Sequence, residues 1–181
     1  MGLVQVDSFT TTSEVASVIL GGGSSGSSTT NYAINENCVY LISYLNAQPV
    51  DDSKYLELRY TVGGTPQTQN TYNWMGFKLK TYSSFQNHNF ISATHHRLTG
   101  EQLGNNTEEL THGLLELHRA YDNTQSTFLT QNSVARDAGG NLNNVVGAFN
   151  YTTNNYVDGV QFFMNSGNIK TGAVFALYKV T

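Results

Sequence analysis

The sequence predicts an all-β protein built as an antiparallel β-sandwich, and its composition and its residue patterns both support this. Only 12% of the 181 residues are charged, with a net charge of -4, which is about half the charged fraction of an average soluble domain. Thr, Asn and Ser are abundant beside 17 Gly and 11 Tyr. β-Branched and aromatic residues suit pleated strands, while Asn and Gly suit tight turns. In addition, several segments alternate between apolar and polar residues and are separated by turn-forming clusters.

The first thirty residues differ in composition from the rest. Residues 1–20 contain two short extended pieces, which we interpret as an N-terminal arm or as the first strands. Residues 21–30 are rich in Gly and Ser and predict a flexible loop or hinge, and residues 31–181 form the predicted sandwich domain. Such a hinge would let the first twenty residues reach a neighbouring subunit. The candidate assembly contacts in this arm are Leu3, Val4, Val6 and Phe9.

The strand pattern is clearest in Tyr55–Val62, where Leu56, Leu58, Tyr60 and Val62 share one face. Four further runs of strand length are bounded by Gly, Asn, Asp and Ser: residues 39–45, 145–151, 160–164 and 174–180. Many short strands with turns between them predict a sandwich of jelly-roll type with a short N-terminal extended arm. We expect the last two runs to pair with each other as a hairpin with a somewhat long loop.

One segment, residues 107–121, fits two structures. Leu110, Leu114, Leu117 and Tyr121 have helical spacing, with acidic residues in the first turn. The same residues also alternate as a strand would. Gly113 costs a helix interior about 1 kcal/mol relative to Ala, which favours the strand.

The sequence contains no pattern that indicates an enzyme, a cofactor or a metal. None of the five His residues has the spacing of a metal-binding pair, and we expect them to be exposed in loops and at strand edges. There is no nucleophile elbow and no phosphate-binding loop. The lone Cys38 is expected to be a small buried hydrophobe. Scattered basic residues and a net negative charge argue against nucleic-acid binding, and no apolar run approaches the roughly 18 residues of a membrane-spanning helix.

Aromatic residues crowd one stretch of the chain, where charges are sparse and Asn residues are interspersed. Such rings can fill a core, anchor a protein interface or bind a sugar. They are the candidate interface or glycan contacts of this sequence: Tyr72, Trp74, Phe77, Tyr82 and Phe85.

The C-terminal segment carries a more specific pattern. Asp158-Gly159, Phe162-Phe163, Ser166-Gly167-Asn168-Ile169 and Leu177-Tyr178-Lys179 occur in order. This segment resembles the ending of a group of small virion proteins of tailed bacteriophages, many of them from marine viruses. The start of the chain, its Tyr40–Pro49 strand and its Leu56–Gln69 strand and turn are similar to that group as well. The alignment places residues 113–118 in a strand.

The resemblance implies a non-enzymatic structural protein of a phage virion, made in the host cytoplasm and placed on the outside of the particle. It implies a homo-oligomer, such as a trimer, in contact with other capsid or tail proteins. We expect an outer capsid decoration protein. The alternative is a tail fibre or receptor-binding head that contacts host surface glycan through the aromatic stretch.

Overall fold

The computed structural model describes residues 2–22, 34–81 and 85–181, and most of them lie in antiparallel strands. No helix long and apolar enough to cross a membrane occurs in these residues. The strands are β1 (Leu3–Thr10), β2 (Ser17–Leu20), β3 (Tyr40–Ala47), β4 (Leu56–Val62), β5 (Thr65–Pro66), β6 (Tyr72–Lys80), β7 (Gln86–Asn87), β8 (Phe90–Ala93), β9 (His96–Arg97), β10 (Thr111–His118), β11 (Thr127–Arg136), β12 (Leu142–Tyr151), β13 (Gly159–Met164) and β14 (Val174–Val180).

These strands form two sheets that enclose one core. The large sheet has the order β1-β14-β3-β10-β11-β12-β6-β7, with β8 also paired to β6. The small sheet has the order β2-β13-β4-β5, with β9 also paired to β4. Aromatic rings join the two layers, since Phe162 of the small sheet lies 4.8 Å from Phe175 and 5.8 Å from Tyr44, measured between ring centroids. The prediction of an all-β antiparallel sandwich is confirmed.

Eight of the strands pair in the nested order of a jelly roll. The outermost strands pair first, β1 with β14 and β2 with β13, and then β3 pairs with β10 and β4 with β9. The remaining strands are two insertions, β5–β8 between β4 and β9, and β11–β12 between β10 and β13. The insertions meet where β12 pairs with β6, which extends the large sheet beyond β10. This extension carries the surface described below.

Most strand predictions from the sequence hold. The disputed segment is a strand, β10. In β4, Leu56, Leu58 and Tyr60 are buried on one face as predicted, whereas Val62 is half-buried and Glu57 and Thr61 of the other face are buried as well. The N-terminal segment forms strands within its own chain: β1 pairs with β14 and β2 with β13. The predicted Gly/Ser hinge lies almost wholly outside the described residues.

The predicted C-terminal hairpin is wrong. β13 pairs with β2 and β4 in the small sheet, whereas β14 pairs with β1 and β3 in the large sheet. The connecting residues cross from one layer to the other, and Ile169 forms isolated bridges with Val15 and Pro49 on the way. The turn residues therefore end β13 without folding it back onto its neighbour in sequence.

Candidate interaction surface on the large sheet

The outward side of the large sheet holds most of the exposed apolar side chains. In β6, Tyr72 and Trp74 point into the sandwich, so the alternate residues Met75, Phe77 and Leu79 point outward. The same alternation in β3, β10, β11 and β12 turns further apolar residues outward. We call this surface the outer face and define it by nine residues: Leu45, Met75, Phe77, Leu79, Leu114, Phe128, Val134, Leu142 and Val146.

The register of the strands makes these residues neighbours. Phe77 lies opposite Val146, Val146 opposite Asn132, and Asn132 opposite Leu114. This row therefore crosses four strands and is interrupted by a single amide. A parallel row runs from Met75 through Ala148 and Thr130 to Glu116. Met75, Phe77, Leu114 and Val146 thus lie on two adjacent rows of one surface, with polar residues between some of them.

A shallow groove of about 840 Å³ lies on this surface. Met75, Phe77, Leu114 and Val146 supply apolar lining. Amide groups of Asn87 and Asn89, from the segment beside β6, also line it.

The outward positions of the strands that form the outer face carry two charged side chains, Glu116 of β10 and Arg136 of β11, and Arg136 pairs with Glu108. Glu116 is the carboxylate among the groove-lining residues, and it has partners on the same strands. The Thr130 hydroxyl donates to Oε2 of Glu116 at 3.4 Å, and Nε2 of His118 lies 3.7 Å from the same oxygen. The two lysines of β6 turn the other way, where Lys78 binds Glu101 at 2.8 Å and Lys80 binds Asp137 at 2.8 Å.

The aromatic residues singled out from the sequence do not form one surface. Tyr72 and Trp74 are buried in the core. Their side chains are therefore not accessible to a ligand or a partner, contrary to the sequence interpretation. Phe77 and Phe85 are exposed, and their ring centroids lie 4.4 Å apart. Tyr82 lies outside the described residues.

The candidate assembly contacts lie on or near β1, at the edge of the large sheet. Leu3 and Val4 are exposed, while Val6 and Phe9 are half-buried against the core. Their pairing with β14 is within the chain, and contacts with a neighbouring subunit remain a prediction. Cys38, expected to be buried, is half-buried beside the core.

A second cluster lies between the sheets and contains histidines. His96 is fully buried, so the expectation that all five histidines are exposed is wrong for this residue. Burial among aromatic rings, with a smaller effect of His95, holds the pKa of His96 well below its ordinary value. On the other face of the small sheet, the Glu57 carboxylate, itself buried, lies 3.1 Å from Nε2 of His95 and 3.7 Å from Arg97. Within the described residues, no group of three or more metal-ligating side chains is close enough to hold an ion.

The outward side of the small sheet is different. Arg59 lies over the ring of Phe163 with its guanidinium carbon 4.3 Å from the ring centroid, and its Nε donates to the Thr94 carbonyl at 3.1 Å. None of the exposed large apolar side chains of the described residues belongs to a strand of this sheet. The two sides of the sandwich thus differ in chemistry.

Sequence reasoning missed most of the outer face. The alternation of Met75, Phe77 and Leu79 along β6 could have indicated it. Leu114, Leu142 and Val146 could not be assigned to the same patch, because their proximity depends on the pairing of distant strands.

Fold and surface together define a jelly-roll protein with an exposed apolar sheet face. No family model and no curated protein matches the chain. Among solved structures, the chain is similar to the CBM2 module of Lactobacillus casei BL23 phage J-1 evolved Dit. The match covers 84% of this chain and 73% of that one, with 9% identity and a TM-score of 0.23. A TM-score this low does not establish a common fold.

Proposed function

We propose that the protein is a non-enzymatic structural component of a tailed bacteriophage virion, with an outer capsid decoration protein as its specific role. The observation that carries the proposal is the C-terminal segment 157–180, which resembles the ending of small phage virion proteins. This segment supplies one strand to each sheet, β13 between β2 and β4 and β14 between β1 and β3. The resemblance therefore concerns the centre of the fold rather than a peripheral loop.

The residues of this pattern have structural contacts that explain why the pattern exists. The carboxylate of Asp158 accepts a hydrogen bond from the Thr61 hydroxyl at 2.6 Å and from the Gly64 backbone N–H at 2.9 Å. Gly167 has a φ of 76°, a left-handed conformation that favours glycine. Phe162 and Phe175 meet in the core. Such contacts suit a building block, because they stabilise the fold.

The surface chemistry also suits a particle component. Most of the basic side chains are paired with carboxylates of the same chain, including Lys78, Lys80, Arg97, Arg119 and Lys179. A surface neutralised in this way has little attraction for nucleic acid. It is compatible with close packing against other proteins through apolar and hydrogen-bonding contacts.

The experiment is quantitative mass spectrometry of purified particles of the phage or prophage that encodes this chain. We expect the protein in hundreds of copies per particle, and labelled-antibody images should place it on the head. A few dozen copies or fewer, with label on the tail, would instead support a tail component. Absence from washed particles would contradict a virion role altogether.

A tail fibre or receptor-binding head is the second candidate, and one observation favours it. Phe77 and Phe85 form an exposed ring pair, with the amides of Asn87 and Asn89 beside it. Rings with neighbouring amides can bind uncharged sugars. Glycan-array binding that is lost in Phe85→Ala and kept in Tyr156→Ala would support this role.

A further inference from the structure

We propose that the outer face of the large sheet is a subunit interface and that its occupant is a second copy of this chain. The inference rests on the proposed function, in which the protein acts as an assembly of identical subunits. It assigns the contact to the strands β3, β6, β10, β11 and β12.

The first argument is the unequal distribution of apolar surface. Nine of the sixteen large apolar side chains that are exposed in the described residues lie on the outer face. One more, Phe85, lies close by, since its ring contacts that of Phe77. Chance exposure would scatter such residues over the whole surface, and apolar patches of this kind mark interaction sites.

The second argument is area. Taking about 200 Å² for a large apolar residue and about half of it exposed, the nine residues present on the order of 900 Å², close to the roughly 800 Å² per partner of a standard protein interface. A small ligand would cover only part of this. Side chains of a partner can also pack into the groove of about 840 Å³.

The third argument selects the partner. An interface with nucleic acid or an anionic membrane surface requires Lys and Arg. The lysines of β6 lie on the other side of the sheet and pair with carboxylates there, and the outward Arg136 pairs with Glu108. A sugar site is built on flat rings, whereas only Phe77 and Phe128 of the nine residues carry a ring. Interfaces between identical subunits are the most apolar class and are depleted in charge, which fits this face.

The one carboxylate in the groove is compatible with burial against another subunit. Glu116 already accepts a hydrogen bond from Thr130 and lies beside His118. A carboxylate with partners in its own subunit can enter an interface at lower cost than an unpaired one. An identical chain also offers the same apolar face, so that sheet-on-sheet packing can cover both patches.

The test compares two matched ring pairs. Phe77 is 48% exposed and pairs with Phe85, while Tyr156 is 45% exposed and pairs with Tyr121 at the end of the sandwich, outside the outer face. We measure the molar mass of the purified protein by light scattering across a dilution series. We expect the wild type and Tyr156→Glu to be oligomers, and Phe77→Glu to dissociate at a concentration at least about tenfold higher, because a charge is placed in an apolar interface.

A wild-type protein that stays monomeric at all concentrations would overturn the proposal. So would a Phe77→Glu variant that keeps its circular dichroism and the oligomer stability of the wild type. If Phe77→Glu does not fold, Val146→Glu takes its place, since Val146 lies opposite Phe77 and also faces outward.

A second measurement needs no substitution. Met75 is 69% exposed, whereas Met164 is 3% exposed and serves as an internal reference for unfolding. Hydrogen peroxide oxidises accessible methionine to the sulfoxide. We expect Met75 oxidation to be at least about fivefold slower at concentrations where the oligomer forms than in the monomer. An oligomer in which Met75 reacts at the monomer rate would leave the outer face free and contradict the assignment.

These measurements use purified protein, so their outcome is separate from the particle experiment. An oligomer held by the outer face but absent from virions would contradict the proposed function and leave the interface standing. A monomeric protein found in hundreds of copies on virions would support the proposed function and contradict the interface.

Discussion

The imidazole of His96 lies against the ring of Phe149, with 4.4 Å between the ring centroids. The rings of Tyr60 and Tyr72 approach it edge-on at 5.3 and 4.8 Å. Neither nitrogen of His96 has a hydrogen-bond partner among the described residues. The protein therefore holds a polar, titratable ring in an aromatic enclosure, a costly arrangement that should be visible in its stability.

We predict that His96→Phe stabilises the protein. The substitution removes two buried nitrogens without partners and keeps a ring in the aromatic enclosure, which should raise the free energy of unfolding by about 1–2 kcal/mol at pH 7.5. Urea denaturation followed by tryptophan fluorescence measures this, since Trp74 lies near His96. A loss of stability would mean that His96 has a partner that its surroundings do not reveal.

The same residue should make stability depend on pH. The pKa of His96 is lowered in the folded protein by burial, so the folded state stays neutral where the unfolded state, with a His pKa of about 6.5, takes up a proton. Stability is then complete above about pH 6.5 and is lost as the pH falls below it. Urea denaturation between pH 7.5 and 5 should show this loss in the wild type and in the control His118→Phe, and a much smaller one in His96→Phe.

Asp137 should stabilise the turn between β11 and β12. Its carboxylate accepts hydrogen bonds from the backbone N–H groups of Gly139 at 2.9 Å and Asn141 at 2.8 Å, and it pairs with Lys80 at 2.8 Å. Burial alone would raise the pKa of Asp137, but the bonds from Lys80 and Asn141 outweigh burial and lower it. We predict that Asp137→Asn reduces the free energy of unfolding by about 2 kcal/mol at pH 7.

The contribution of Asp137 should disappear in acid. Because the folded pKa is below the ordinary value, the stabilisation is present above about pH 4 and is lost as the pH falls below it. The difference between the wild type and Asp137→Asn should thus shrink between pH 7 and pH 3 in urea titrations. Asp52→Asn, at an exposed position, is the control and should leave stability unchanged at pH 7. A pH-independent difference would contradict the assigned ion pair.

The fold was largely predictable because its central strands follow the hydrophobic alternation. The strands β6 and β11 are the main exceptions, and the inward side of β11 explains why it escapes prediction. Gln131 and Ser133 occupy inward positions, and the Ser133 hydroxyl donates to the Leu98 carbonyl at 2.9 Å. Where the inward and outward residues of a strand are both polar, hydropathy shows no period-two pattern. The inward polar side chains can still be buried, because they form hydrogen bonds.

The candidate site was less predictable, because a sequence gives the alternation of a strand but not which side faces inward. In β6 both sides carry large apolar residues, Trp74 on one and Phe77 on the other. The pairing with β12 and the packing of Trp74 on His96 determine which side of β6 faces inward. Both are contacts between distant parts of the chain. For the same reason, β13 and β14 looked like a hairpin although they belong to different sheets.

Gly76 allows β6 and β12 to approach closely under the outer face. A Cβ atom at Gly76 would lie 2.5 Å from the Val146 carbonyl oxygen and 2.8 Å from Cα of Gly147. We predict that Gly76→Ala costs about 2 kcal/mol or more, because backbone must move to make room. Gly63→Ala is the control, since its φ of 58° is unfavourable for alanine but nothing lies within 4 Å, so a loss of about 1 kcal/mol is expected. Equal losses in the two variants by urea denaturation would contradict the close approach.

Asp158, which lies in the C-terminal pattern described above, should act on stability alone. Its carboxylate binds the Thr61 hydroxyl at 2.6 Å and the Gly64 N–H at 2.9 Å, which ties the residues before β13 to the end of β4. We predict that Asp158→Ala lowers the free energy of unfolding by about 2 kcal/mol, since two hydrogen bonds to a charged group are lost. Thr61→Val removes one of them and should cost less. The double variant should cost less than the sum of the two single variants, because the Thr61 and Asp158 side chains bind each other. Additive losses of stability would mean that the Thr61 and Asp158 side chains act independently. The hydrogen bond between them would then not explain the role of Asp158.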